Sequence, residues 1–271
     1  MTQSNDYIDK GAVFDWGRAS RDYAKYRDIY PEEFYQKILD LGLCQSGQTA
    51  LDLGTSTGVL PRNLYRYGAK FTGVDIEKRQ IDEAKALSAL QKMDINYIVA
   101  AAEDVNLPDN SFDVVTACQC FIYFDQQRIF PKVHSLLKDG GHFCILWAAW
   151  LPFEDDIARK SEEIVLKYNP NWTGSGSERY IPTIPNAALP YFEQQHALLY
   201  DIQIPFTSES WHGRIMACRG IGASSLPHDV IRRFEEEHRA YLETASASFK
   251  ILHYVTALNL RKKTTNNQPV L

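Results

Sequence analysis

The sequence lacks any long hydrophobic run: its longest, Phe143 to Leu151, falls far below the roughly 20 apolar residues that cross a bilayer, so no membrane partner is expected. The polar start, Met1 to Lys10, lacks a secretory hydrophobic region. Positive charge is also scarce. Lys and Arg total 29 against 34 acids, giving a net charge of -5, and no basic run offers itself to a phosphate backbone. Nucleic acid is therefore not expected as a partner. Cysteines number five, and Cys44, Cys118, Cys120, Cys144 and Cys218 are scattered, unlike a disulfide framework. Cys118 and Cys120 form a C-x-C pair that could ligate a metal, but no second Cys/His pair lies at ligand spacing, and no metal is expected. These exclusions point to a cytoplasmic protein, and a monomer or homodimer is expected.

What is present reads as an ordinary globular chain, with 45% hydrophobic and 23% charged residues, able to fold alone. Residues before Gly11 and after Lys263 read as loose ends. Ala19, Tyr23, Tyr26 and Tyr30 recur at helical spacing, and Pro31 opens a second helix ending at Gly42. From Thr49 strands and helices alternate. Strands are expected at 50–53, 71–75, 96–101, 112–117 and 142–147, with helices between them. Past Trp150 come a helix at 155–167, a Gly/Ser/Pro-rich stretch from Asn169 to Pro185, a strand at 198–206, helices at 210–219 and 227–244, and a last strand at 251–260. This alternation predicts a doubly wound, Rossmann-like α/β fold: a mostly parallel seven-stranded sheet with helices on both faces and a helical cap. Residues 1–45 are expected as a helical leader, 46–150 as the core, and 151–271 as the half that completes the sheet and carries cap insertions, all in one domain.

In such a sheet the ligand sits at the carboxyl ends of the strands. There Leu51-Asp52-Leu53-Gly54-Thr55-Ser56-Thr57-Gly58 places an acid at a strand end, then two glycines around three small residues before a helix. Gly54 admits backbone conformations closed to other residues, and the helix start offers free N–H groups to an anion. The spacing G-x-x-x-G differs from the dinucleotide fingerprint, and no lysine follows as a P-loop requires. Some twenty residues on, Val74-Asp75-Ile76 ends the second strand with an acid placed to accept ribose hydroxyls or to cap the next helix.

Taken in order, Asp52-Leu-Gly-Thr-Ser-Thr-Gly58, Gly73-Val-Asp75, Ala102-Glu103-Asp104 with Leu107-Pro-Asp-Asn-Ser-Phe-Asp113, and Leu137-Lys-Asp-Gly140-Gly141 resemble the motifs of class I S-adenosylmethionine (SAM)-dependent methyltransferases. The resemblance covers about Tyr26 to Trp147. It is closest to the small-molecule branch that includes quinone C-methyltransferases and trans-aconitate methyltransferase. It implies SAM as cofactor and S-adenosylhomocysteine as product. By the same resemblance Gly54, Thr55 and Gly58 line the methionine part, with Asp52 toward its ammonium, and Asp75 holds the ribose with Ile76 against the adenine. Ala102 and Glu103 border the adenine edge, and Cys118 sits near the sulfonium. Arg18, Tyr23 and Arg27 resemble the leader that folds over the cofactor and reaches its carboxylate. Where many relatives carry an acid before the Ala-Glu pair, this chain has Ala101.

The acceptor side is expected in the loop from Gln119 to Tyr123 and at Trp147, Trp150 and Trp211, with Trp211-His212-Gly213-Arg214 as a lid and Arg214 as a partner for an anionic acceptor. Tyr123 and His212 are the candidate bases, should the acceptor need to lose a proton, although a structural role is the favoured reading of each; core packing explains any one of the tryptophans equally well. Alternatives are a protein that binds SAM or S-adenosylhomocysteine without catalysis, a methyltransferase acting on RNA or protein, and a dehydrogenase on a similar sheet.

Overall fold

The computed structural model describes residues 7–264. The leader forms α1 (Ser20–Tyr26) and α2 (Glu32–Asp40). Tyr30 falls outside α1, because a residue that precedes proline is disfavoured in helical backbone and Pro31 follows it. The chain then runs β1 (Thr49–Leu53), α3 (Val59–Leu64), β2 (Lys70–Asp75), α4 (Lys78–Leu90), β3 (Asn96–Val99), β4 (Phe112–Cys118), α5 (Gln126–Leu136) and β5 (Leu137–Trp150). It continues through α6 (Asp156–Tyr168), β6 (Phe192–Thr207), α7 (Ser208–Met216), α8 (His228–Glu243) and β7 (Ser248–Lys262).

Strand order is β3-β2-β1-β4-β5-β7-β6. The pairings from β3 to β5 are parallel, while β7 runs antiparallel to both β5 and β6, so the sheet is mixed. A purely parallel sheet would need a crossover for each strand. Here β7 instead inserts between β5 and β6, pairing with β6 from Phe192↔Lys262 to Thr207↔Ser248, which makes both strands several residues longer than their apolar patterning suggests. β5 likewise begins at Leu137, before Gly140, with a register shift against β4. Two apolar layers cover the sheet: Phe34, Ile38, Leu64 and Trp211 belong to one, and Leu53, Phe130, Phe143 and Phe192 to the other.

Helix starts follow local side-chain chemistry. Asp125 caps α5, a Thr207–Ser210 capping box opens α7, and Asp155 caps α6 while its second oxygen accepts from the Leu252 amide at 3.0 Å. The leader is more firmly held than its composition suggests. Asp9, expected in a loose end, is 3% exposed; it accepts from Arg219 Nε at 2.8 Å and from the Thr173 amide at 2.8 Å. A long-range ion pair partner makes Asp9 part of the fold, and spacing along the chain gives no sign of it. Gly213 is where α7 meets the leader: a Cβ there would lie 2.2 Å from the Tyr26 ring.

Candidate functional site

The sheet order reverses between β1 and β4, since β1 leads outward to β2 and β4 to β5, and the crevice at such a switch point is where ligands bind. A cleft opens there. β1 and the turn after it contribute Asp52, Gly54, Thr55 and Ser56; β4 contributes Cys118, followed by Gln119; the leader contributes Tyr23, Arg27 and Tyr30. Three segments distant in sequence therefore meet at one place.

The turn after β1 depends on left-handed backbone at Gly54 (φ 63°), Ser56 (φ 53°) and Gly58 (φ 73°). A Cβ on Gly54 would come 2.6 Å from the Cys120 Cβ, and one on Gly58 would come 2.2 Å from the Tyr97 hydroxyl. Gly58 is thus demanded by the packing beneath the turn, and it does not line the cleft. Asp52 is 2% exposed and accepts from Thr116 Oγ1 at 2.6 Å. Burial pushes its carboxyl up to about 6, against the opposing effect of the hydroxyl bonds. No cation among the described side chains pairs with it. This carboxylate is among the residues lining the cleft.

Asp75 ends β2, and its carboxylate accepts from the amides of Ser56 (2.8 Å) and Glu77 (2.9 Å). It therefore pins the glycine turn as well as starting the next helix, and burial raises its pKa. The adjacent Ile76 is 66% exposed, an apolar side chain left bare at the strand end. Ala102 is buried in a helical turn over 102–104, and Glu103 accepts from the Asp125 amide at 2.9 Å, which occupies one of its oxygens. Arg27 donates to the Tyr23 hydroxyl at 3.1 Å and stacks over that ring at 4.6 Å. Gln119, at φ 66°, donates to the Tyr30 hydroxyl at 3.2 Å and to the Ala148 carbonyl, tying leader to sheet across the cleft. Burial holds the Cys118 thiol at about 12, and Cys120 donates to the Leu53 carbonyl at 3.0 Å.

Several expected residues lie elsewhere. Arg18 donates to the carbonyls of Ser224 and Leu226, binding the leader to the segment before α8. Tyr123 packs against Phe14 and Trp16 and accepts from Arg219 at 3.0 Å; burial holds its phenol near 12, so it is poorly suited to take a proton. His212 is 2% exposed in α7, where its Nδ1 meets His238 Nδ1 at 2.9 Å, and burial pushes its pKa down to about 4. Trp211 is fully buried and donates to Ser161 Oγ at 2.9 Å, and Trp150 donates to Glu162 at 2.6 Å. Trp147 packs with Ala149, Leu151 and Tyr254. The segment from Trp211 to Arg214 is thus held inside the fold and forms no lid, because α7 is wedged between α1 and α8. Tyr30, Ser56, Val59 and Leu60 line the cleft without having been singled out by sequence. Tyr30 was visible only as a helix-face aromatic, and Val59 and Leu60 as ordinary helix residues after the turn.

Residues 51–145 match the family model described as "Methyltransferase domain". In fold, switch-point cleft and motif order this part of the chain is similar to the class I SAM-dependent methyltransferases, whose cofactor is SAM. Among curated relatives, the ubiquinone biosynthesis O-methyltransferase of Coxiella burnetii is 29% identical over 52% of this chain and 63% of its own length. An uncharacterized methyltransferase of Mycobacterium tuberculosis is 31% identical over 49% of this chain and 51% of its own. The chain spans about half to just under two thirds of the length of the curated relatives it matches. The solved YcgJ protein of Bacillus subtilis shares the fold, with TM-score 0.53, 17% identity, 86% of this chain covered and 100% of that one. No helix among the described residues is long and apolar enough to cross a membrane.

Proposed function

We propose that the protein transfers the methyl group of SAM to a small-molecule acceptor. The observation that carries this reading is the charge pattern of the cleft: an unpaired buried carboxylate, Asp52, and a guanidinium, Arg27, line the same space beside an open-backbone turn. An amino-acid zwitterion is the complement of that pair, its ammonium toward Asp52 and its carboxylate toward Arg27. Asp75 would then accept from the ribose, with Ile76 against the adenine. SAM supplies the activated methyl when bound. The chain's own part is to align and to exclude water, and no protein nucleophile is required. The small-molecule acceptor is supported by the relative named for ubiquinone biosynthesis and by the shortage of basic surface charge. No base is assigned, since Tyr123 and His212 lie in other surroundings.

The test has two arms. Calorimetry should give saturable binding of S-adenosylhomocysteine, and incubation with methyl-labelled SAM and fractionated metabolites should give one labelled product. Binding without transfer to any fraction would favour a cofactor-sensing protein, and binding of NAD in place of S-adenosylhomocysteine would overturn the reading.

A further inference from the structure

We infer that Arg214 is the anchor for the acceptor, and that the acceptor carries an oxyanion, either a carboxylate or a phosphate. The inference rests on the methyltransferase reading for one step: once Asp52 and Arg27 serve the amino-acid end of the cofactor, Arg214 remains unassigned.

Arg214 is 5% exposed, and what surrounds it does not account for its charge. Its Nη1 donates to Cys218 Sγ at 2.8 Å, a weak acceptor, and its Nε has no hydrogen-bond partner. Its guanidinium lies over Trp150, 4.9 Å from the ring centroid. No carboxylate pairs with it among the described residues. Glu162, on the other side of Trp150, is taken by the indole N–H and the Gly176 amide, and Glu209 by Lys25 and Tyr26. Burial, together with the neighbouring Arg27 charge, lowers the Arg214 pKa.

An unpaired buried cation is costly, and an aliphatic side chain of similar length would cover Trp150 without that cost. Packing alone therefore gives no reason for an arginine here. Its position supplies one. Gln119, which lines the cleft, donates to the Ala148 carbonyl two residues along β5 from Trp150, and Gly213, next to Arg214, packs at Tyr26, next to the cleft-lining Arg27. A second unpaired group stands on the same tryptophan. The His253 ring lies 6.2 Å from that of Trp150 and is 1% exposed. Its Nδ1 must donate to the Ile251 carbonyl at 2.9 Å, so Nε2 of the neutral ring is a bare acceptor, and it too has no partner. A buried donor and a buried acceptor beside one aromatic ring form a polar pair, each with an unpartnered nitrogen. It matches a small molecule bearing an oxyanion and a hydroxyl or N–H. Fixing the far end of such a molecule orients its near end for in-line attack on the methyl group.

The test uses the full-length protein saturated with S-adenosylhomocysteine, so the cofactor's own carboxylate is already in place. The probes are benzoate, citrate and inorganic phosphate, with benzamide and triethyl citrate as neutral counterparts of the acids, followed by calorimetry and tryptophan fluorescence. At least one anion should bind saturably, with a carboxylate ten or more times tighter than its neutral counterpart if acids are the class. Phosphate exceeding both acids would assign a phosphate ester instead. Arg214→Met should weaken the bound anion at least tenfold, Arg214→Lys should fall between, and in both the affinity for S-adenosylhomocysteine should stay within twofold. The melting temperature of Arg214→Met should hold or rise, which a structural arginine would not allow. Failure of every anion to bind, or equal binding to Arg214→Met, overturns the inference and leaves the methyltransferase reading intact. A matching loss of S-adenosylhomocysteine affinity would assign Arg214 to the cofactor. Absence of S-adenosylhomocysteine binding to the unaltered protein would sink both.

Discussion

Along β1, β2 and β4 the candidate polar groups stand at strand ends, where Asp52, Asp75 and Cys118 flank the glycine turn. From α6 to β7 they lie inside the packing instead, where Ser161, His212, His238 and Trp211 bond to one another. The first arrangement is what a ligand approaching the backbone would require, with residues adjacent in sequence that carry a spacing. The second is dictated by packing between helices, and its members are up to 77 residues apart, as for Ser161 and His238. A buried polar chain of this kind holds helices in one arrangement but has no signature in the linear sequence.

Substitutions should separate the two regions, and the largest effect is expected in the second. Trp211→Ala removes a fully buried indole that packs edge-on to Trp150 at 5.3 Å, and should cost about 3–5 kcal/mol in denaturant unfolding. A loss below about 1 kcal/mol would instead mean that the ring faces a ligand space. Next, Gly58→Ala forces a side chain into left-handed backbone and against the Tyr97 hydroxyl, for a loss of roughly 1–3 kcal/mol, of which Tyr97→Phe should return a part. Unchanged unfolding in Gly58→Ala would show that the turn relaxes freely.

Acid should act oppositely on the two regions. Burial depresses the pKa of His212 to about 4 and of His238 to about 3, below the ordinary 6.5 of the unfolded chain. Each therefore contributes stability that is full above 6.5 and is lost as pH falls toward those values, by up to about 1.4 kcal/mol per pH unit per group. Asp52 has the reverse sign: its folded pKa, about 6, exceeds the unfolded 3.8, so protonating it as pH falls from 6 to 4 favours the fold. On the proposed reading, cofactor binding needs its charge. Affinity for S-adenosylhomocysteine should drop up to tenfold per pH unit below about 6 and level off above 7. Asp52→Asn should bind weakly at every pH and flatten that dependence. A profile unchanged in Asp52→Asn would free this carboxylate from the ammonium role.

How much of this was legible follows the same division. The strands as far as β5 and the residues Asp52, Gly54 and Thr55 could be read because apolar strands, glycine turns and acids recur at fixed intervals. Tyr23 and Arg27 could be read only by resemblance. Trp150, Trp211 and His212 were legible as aromatic or titratable side chains after a strand, but a core and a pocket wall use the same residues, and only contacts tell them apart. Asp9 was unreadable for a related reason: its partners, Thr173 and Arg219, are 164 and 210 positions away. The reversed strand β7 was equally hidden, since apolar patterning carries no direction.

The most direct measurement is calorimetric titration of S-adenosylhomocysteine into the unaltered protein and into Asp75→Ala. One site per chain is predicted in the first, with binding weakened by about 1–3 kcal/mol in the second, the scale of a lost hydrogen-bonding partner for the ribose. Equal affinities would contradict the ribose role of Asp75, and no binding to the unaltered protein would contradict the account as a whole.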